Sequence, residues 1–121
     1  MKKALIIPII ATLVFLLFTP KTHSQVSFLP TKLKITVIDG TGNFVENSTV
    51  TLYLSKDDYI NSENPLTSKL TDEKGRVKFK DMEPRIYFLD VRKGDKSNDG
   101  RGSQTDKLNE GKTNKVNVVI E

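Results

Sequence analysis

Thr71-Asp72-Glu73-Lys74-Gly75-Arg76-Val77-Lys78-Phe79 is the stretch whose reading decides the fold. Asp72 is placed to hydrogen-bond the backbone of its own turn. Gly75 is placed to take the positive φ that strains other residues. Beyond the glycine, Val77 and Phe79 alternate with Arg76, Lys78 and Lys80, the period of two of a strand with one wet face. The stretch predicts a strand end, a tight turn and a new strand over 76–80.

Working outward, the alternation recurs. Leu33, Ile35 and Val37 alternate with Lys34 and Thr36 in a first strand over 33–38. Asp39-Gly40-Thr41-Gly42-Asn43 is a run of turn residues. A second strand over 49–54 turns Val50, Leu52 and Leu54 inward and Thr49, Thr51 and Tyr53 outward. Residues 55–65 are polar, with room for one helical turn but not a full helix. A third strand spans 66–71. The longest strand is expected over 85–93, with Tyr87, Leu89 and Val91 inside and Phe88, Asp90 and Arg92 outside. A Gly-, Asp- and Asn-rich loop covers 94–102, and 103–108 reads as a short edge strand. Residues 115–120 close the chain with Val116, Val118 and Ile120 on one face. Short strands and regular turns, with no amphipathic helix of normal length, predict an all-β, antiparallel seven-stranded β-sandwich over 33–121.

The N-terminus reads differently. Lys2 and Lys3 precede an apolar run over 4–18 that Pro8 interrupts, and Pro20 ends it. Thr22-His23-Ser24 offers small residues for cleavage between Ser24 and Gln25. This is the pattern of a signal peptide over 1–24, and the run is short of the ~20 residues a spanning helix needs. Residues 25–32, with Pro30, form an irregular lead-in. The protein is expected to be secreted or periplasmic, with no stable membrane insertion after cleavage.

Composition narrows the chemistry. The whole chain carries a formal charge of +4. Removing 1–24 takes away Lys2, Lys3 and Lys21 and no acid, leaving +1. A nearly neutral domain gives no electrostatic case for nucleic acid and predicts no large single-sign field. There is no cysteine, and the one histidine, His23, lies in the leader. Ser-His and Cys-His nucleophile pairs, disulfides and thiolate or imidazole metal sites are thereby excluded after cleavage.

The motifs resemble the bacterial carboxypeptidase regulatory-like domains, which share a transthyretin (prealbumin)-like, Ig-like sandwich. The family's T-D-x-x-G-x-V-x-F stands complete from Thr71 to Phe79. Its D-x-x-G-N-x-V appears from Asp39 to Val45. Its G-A-x-V-x-L appears as Asn47-Ser48-Thr49-Val50-Thr51-Leu52, without the Gly-Ala pair. Its P-G-x-Y-x-x-x-V runs from Pro84 to Val91, with Arg85 in place of glycine. The resemblance implies an accessory module and no activity of its own. The hydroxyisourate hydrolases of the same fold use histidines and a C-terminal Tyr-Arg-Gly-Ser. Here Gly100 precedes Arg101-Gly102-Ser103 mid-chain, so that activity is excluded.

Three constellations remain. Asp95, Ser97, Asp99 and Asp106 occupy positions 1, 3, 5 and 12 of a calcium-loop pattern with Gly100 at position 6, an approximate match in which Lys96 and Arg101 add repelling charge. Tyr53, Tyr59 and Phe88 are expected on the surface as an aromatic strip for a sugar ring or an apolar partner. Asp57-Asp58 would serve as an acid/base pair only in a loop, because neighbours on a strand face opposite ways. Asn47-Ser48-Thr49 is a sequon that reads as a strand entry. The expected function is a secreted, non-enzymatic binding or structural module at the envelope or exterior, with a protein or glycan partner. The alternatives are a calcium-stabilised adhesion module built on 95–106 and, less favoured, a carboxylate-based hydrolase. No other cofactor is implied.

Overall fold

Alternating apolar and polar residues build seven strands in a computed structural model that describes residues 29–121. They are β1 (Lys32–Asp39), β2 (Thr49–Tyr53), β3 (Thr67–Leu70), β4 (Arg76–Phe79), β5 (Phe88–Lys93), β6 (Lys96–Ser97) and β7 (Thr113–Ile120), with one short helix, α1 (Lys56–Asn61), between β2 and β3. The expected signal peptide and residues 25–28 of the lead-in lie outside the described residues. Lys32, placed in the lead-in by the sequence, already belongs to β1.

The strands form two sheets, a first in the order β4-β1-β7 and a second in the order β3-β2-β5-β6. Leu33, Ile35 and Val37 of β1, with Phe79, Val118 and Ile120, face Val50, Leu52, Leu89 and Val91 of the second sheet, and all are buried. Burying a side chain of this size contributes roughly 1.5–3 kcal/mol. The core therefore holds a fold that has no disulfide.

Further expectations differ from the structure. The sheets are not wholly antiparallel: β1 and β7 pair in parallel along eight residues, from Lys32↔Thr113 to Asp39↔Ile120. Alternation has the same period in either pairing, so it does not carry strand direction. The longest strands are β1 and β7, eight residues each, whereas β5 starts only at Phe88. A tight turn from Glu83 O to Arg85 N precedes it, and the Tyr87 hydroxyl accepts from Glu83 N at 2.9 Å and donates to Glu83 O at 3.0 Å. Burial pushes the Tyr87 hydroxyl pKa up. The expected loop over 94–102 contains β6, hairpinned onto β5 through Lys93↔Lys96. Finally, Tyr53 is buried and Leu54 is exposed, the reverse of expectation. The strand ends at Tyr53, and α1 covers that end of the outer face.

The expected edge strand over 103–108 is reduced to a bridge between Phe88 and Gln104, extended by Leu89 N→Ser103 O and Thr105 N→Tyr87 O. The 71–79 stretch does more than turn. It carries the chain from β3 in the second sheet to β4 in the first. Asp72 Oδ1 accepts from Lys74 N and Arg76 N, both at 2.9 Å, and Gly75 N donates to Asp72 O. Gly75 has φ +70 and lies against β1, where its carbonyl accepts from Val37 N at 2.7 Å. A Cβ at this position would stand 2.6 Å from Val37 O.

Both the positive φ and the close approach demand glycine. Gly75→Ala is expected to cost about 2 kcal/mol or more. The midpoint of urea unfolding measures this, and an unchanged midpoint would show that neither constraint operates.

Candidate functional site

The aromatic residues singled out from sequence do come together. Ser55 caps α1 by accepting from Asp58 N at 3.1 Å, and Asp57 and Asp58 sit in the first turn, where the helix dipole favours acids. This short helix lays Tyr59 between two strand residues. Its ring meets Tyr53 edge-on at 6.0 Å and Phe88 at 6.3 Å with the planes tilted by 30°. Such contacts add roughly 0.5–1.5 kcal/mol beyond their burial. The strip is thus partly consumed by the fold: Tyr53 lies inside, while Tyr59 and Phe88 are half-exposed. Ile60, the next residue of α1, is 61% exposed. Pro84, Ile86 and Phe88 line a shallow apolar groove of about 400 Å³.

The 95–106 stretch does not wrap around a common centre. Asp95 lies exposed in the β5–β6 hairpin turn. Ser97 belongs to β6 and exchanges backbone hydrogen bonds with Glu121 at 3.1 and 3.2 Å. Asp99 faces Arg92 at 3.4 Å. Asp106 follows the bridged segment, and its carbonyl accepts from Thr105 Oγ1. Among the described residues, no three acidic or histidine side chains gather as a metal set.

What organises this stretch is a residue that sequence reasoning passed over. Asn98 is fully buried. Its Oδ1 accepts from Val91 N at 3.0 Å, and its Nδ2 donates to Leu89 O at 3.0 Å and Gly102 O at 3.1 Å. The amide acts as a detached peptide group that satisfies the free edge of β5 between β6 and the 103–105 segment. Ser48 and Thr71 form a second buried polar pair. Thr71 Oγ1 accepts from Ser48 N and donates to Val45 O. This pair explains why the sequon is a strand entry: Ser48 is interior and Asn47 takes φ +59. Among the described residues, no buried side-chain nitrogen or oxygen lacks a hydrogen-bond partner.

Two exposed carboxylates are also structural. Asp39 Oδ1 accepts from the Thr41 hydroxyl at 2.7 Å and from the backbone N–H groups of Thr41 and Asn43. The Thr41 hydroxyl, followed by the Asn43 N–H, holds the Asp39 pKa below its ordinary value. Arg76 N–H, with Lys74 N–H, does the same for Asp72. Each charge is used by its own turn.

The first sheet contributes a feature of another kind. The outward positions of β1 and β4 are mostly basic, and the register sets Lys34 directly beside Lys78 on one side and Lys115 on the other. The alternation of each strand is legible in the sequence. The alignment of the three strands is not. The small net charge does not describe this face, where basic positions stand side by side.

No protein-family model matches the chain, and no curated protein matches it. Solved structures do. The Bacillus anthracis TIE protein matches 77% of the chain at 18% identity with a TM-score of 0.57, over 16% of its own length. The Streptococcal ancillary pilin matches 79% of the chain at 16% identity with a TM-score of 0.58, over 33% of its length. BcpA, the major pilin subunit of Bacillus cereus, matches 77% at 15% identity with a TM-score of 0.50, over 30% of its length. The chain thus spans a third or less of these proteins. At such identities the likeness shows the fold, a two-sheet β-sandwich.

Two outcomes follow from the polar groups. Asn98→Leu keeps the branched shape, adds some bulk, and leaves Val91 N, Leu89 O and Gly102 O without the amide partner. It should cost roughly 2–4 kcal/mol in denaturant unfolding, and a wild-type midpoint would contradict the role assigned to the amide. The lowered Asp72 pKa means that its contribution is present above the unfolded-state value near 4 and is lost as pH falls through the folded-state value. The stability difference between wild type and Asp72→Asn should therefore be constant above about pH 5 and shrink below about pH 4. A difference that does not move with pH would remove the charge from the explanation.

Proposed function

We propose that the chain is a secreted, non-enzymatic β-sandwich module that binds or builds at the cell envelope or exterior. The observation that carries this reading is the use of the polar groups. Asp39 and Asp72 each serve a turn, while Asn98, Ser48 and Thr71 serve strand edges. A carboxylate hydrolase needs two carboxyls facing one cleft across about 5–10 Å. The most strongly engaged acids of this chain are instead saturated by their own backbone.

The leader pattern over 1–24 supports export, and among the described residues no helix is long and apolar enough to cross a membrane. The likeness in fold to domains of pilins and of the TIE protein supports a role in which a sandwich is used as a building or docking unit. Kinship with the carboxypeptidase regulatory-like domains is supported by the 71–79 motif, in which Thr71, Asp72, Gly75, Val77 and Phe79 all have structural work. The half-exposed Tyr59–Phe88 pair is the part of the aromatic strip that remains open to a partner.

Intact-mass measurement of the protein recovered outside the cytoplasm tests this reading. The expected mass is that of a chain starting at Gln25. Recovery only in the cytoplasm, or with Met1 to Ser24 retained, would overturn export.

A further inference from the structure

The outward face of the first sheet collects cations. Lys32 and Lys34 on β1, Arg76 and Lys78 on β4 and Lys115 on β7 all alternate with residues that face the core, and Lys80 directly follows β4. The register joins them into rows. Lys34 pairs with both Lys78 and Lys115, and Thr36 pairs with both Arg76 and Asn117. No outward position of the three strands carries an acid. Among the described residues, the ion pairs within 4 Å involve only Arg92 and Arg101, so none neutralises this face. Lys34, Arg76 and Lys78 line a shallow cleft of about 320 Å³ with Asp72, whose carboxylate already accepts two backbone N–H groups.

Stability does not account for this arrangement. Like charges directly opposite one another in a sheet are destabilising. Lysines on edge strands discourage edge-to-edge pairing, which explains Lys78 on β4 and Lys115 on β7. It does not explain Lys34, which stands on the central strand between them. Strands about 4.8 Å apart and alternate residues about 6.7 Å apart set these cations on a patch roughly 10 Å wide. That footprint suits a chain carrying a negative charge at each repeat.

We propose that this face binds a linear anionic polysaccharide through charge. The rows contain no aromatic residue, so recognition is of charge spacing and not of a stacked sugar ring. They contain no exposed large apolar side chain to insert into a bilayer either. An apolar row of Ile38 and Val119, with Phe44 bridged to Ile38, borders the basic rows beyond Thr36. The proposal deepens the binding role given above and rests on it. Export is read by mass and glycan binding by titration, so the two fail separately.

The test uses the exported protein and a fluorescent polygalacturonate oligomer, with neutral dextran and phosphatidylglycerol-containing vesicles as the other arms. Binding is expected to the oligomer and not to dextran, and to weaken about tenfold or more between 50 and 200 mM salt, as release of several counterions requires. Lys34→Gln with Lys78→Gln and Lys115→Gln should weaken it at least about tenfold, while Arg at all three positions should retain it. The Gln variant should melt no lower than wild type, because repulsion is relieved. Lys56→Gln with Lys93→Gln and Lys107→Gln changes the net charge equally on exposed positions elsewhere and should leave affinity within about twofold. Equal weakening by the two triple variants would overturn the assignment to this face. Failure to bind the oligomer at 50 mM salt, or binding to vesicles alone, would overturn the glycan.

Discussion

Gly75 and Val37 meet where the two sheets are joined. The carbonyl of Gly75 takes the Val37 N–H, and the absence of a side chain lets the corner approach the Val37 carbonyl. Val37 O in turn receives Val45 N, so one residue of β1 anchors the segments before β2 and before β4. The passage of the chain from the second sheet to the first is thereby tied to the central strand. Once β4 lies along β1 in the register Ile35↔Val77, the inward residues of both strands fall into the core. A shift of one residue would turn Val77 and Phe79 to solvent and Arg76 and Lys78 inward.

A sandwich of this size has edges that water or a neighbour would otherwise reach. The chain closes one of them with side chains. Asn98 stands in for a strand beside β5, and Glu121 exchanges backbone hydrogen bonds with Ser97, linking the end of β7 to β6. Arg101 pairs with the Glu121 carboxylate at the same seam. At the opposite edge, Lys69 of β3 reaches across to Lys78 O and sits 5.2 Å from the centre of the Phe79 ring. A buried amide costs free energy unless every polar atom finds a partner, and the Asn98 amide has three.

Acids in this chain concentrate in turns, where Asp39 and Asp72 gather backbone N–H groups, and in α1, where Asp57 and Asp58 face the helix start. Strand lysines occur in both sheets, and those of the first, Lys32, Lys34, Lys78 and Lys115, meet no acid on their outward face. Segregation of this kind arises from local chemistry, since carboxylates suit turns and helix N-termini while long basic side chains suit exposed strand positions. Its consequence is a basic face on a domain of small net charge.

Much of this protein is determined locally and is therefore legible in the sequence. Alternation identified the inward residues of β1, β4, β5 and β7, because the period of two is set by the pleat of a single strand. Asp72 and Gly75 were legible as turn residues, because an Asx turn and a positive φ involve only neighbours in the chain. Partnerships between distant segments were decided only by the tertiary structure. The parallel pairing of β1 with β7, the burial of Tyr53 under α1, the use of Asn98 as a surrogate peptide and the dispersal of Asp95, Ser97, Asp99 and Asp106 all depend on what lies across a gap in the chain. The lysine rows divide between the two. Each strand announced its own outward lysines, and only the register of three strands, fixed by packing of their inner faces, set Lys34 between Lys78 and Lys115.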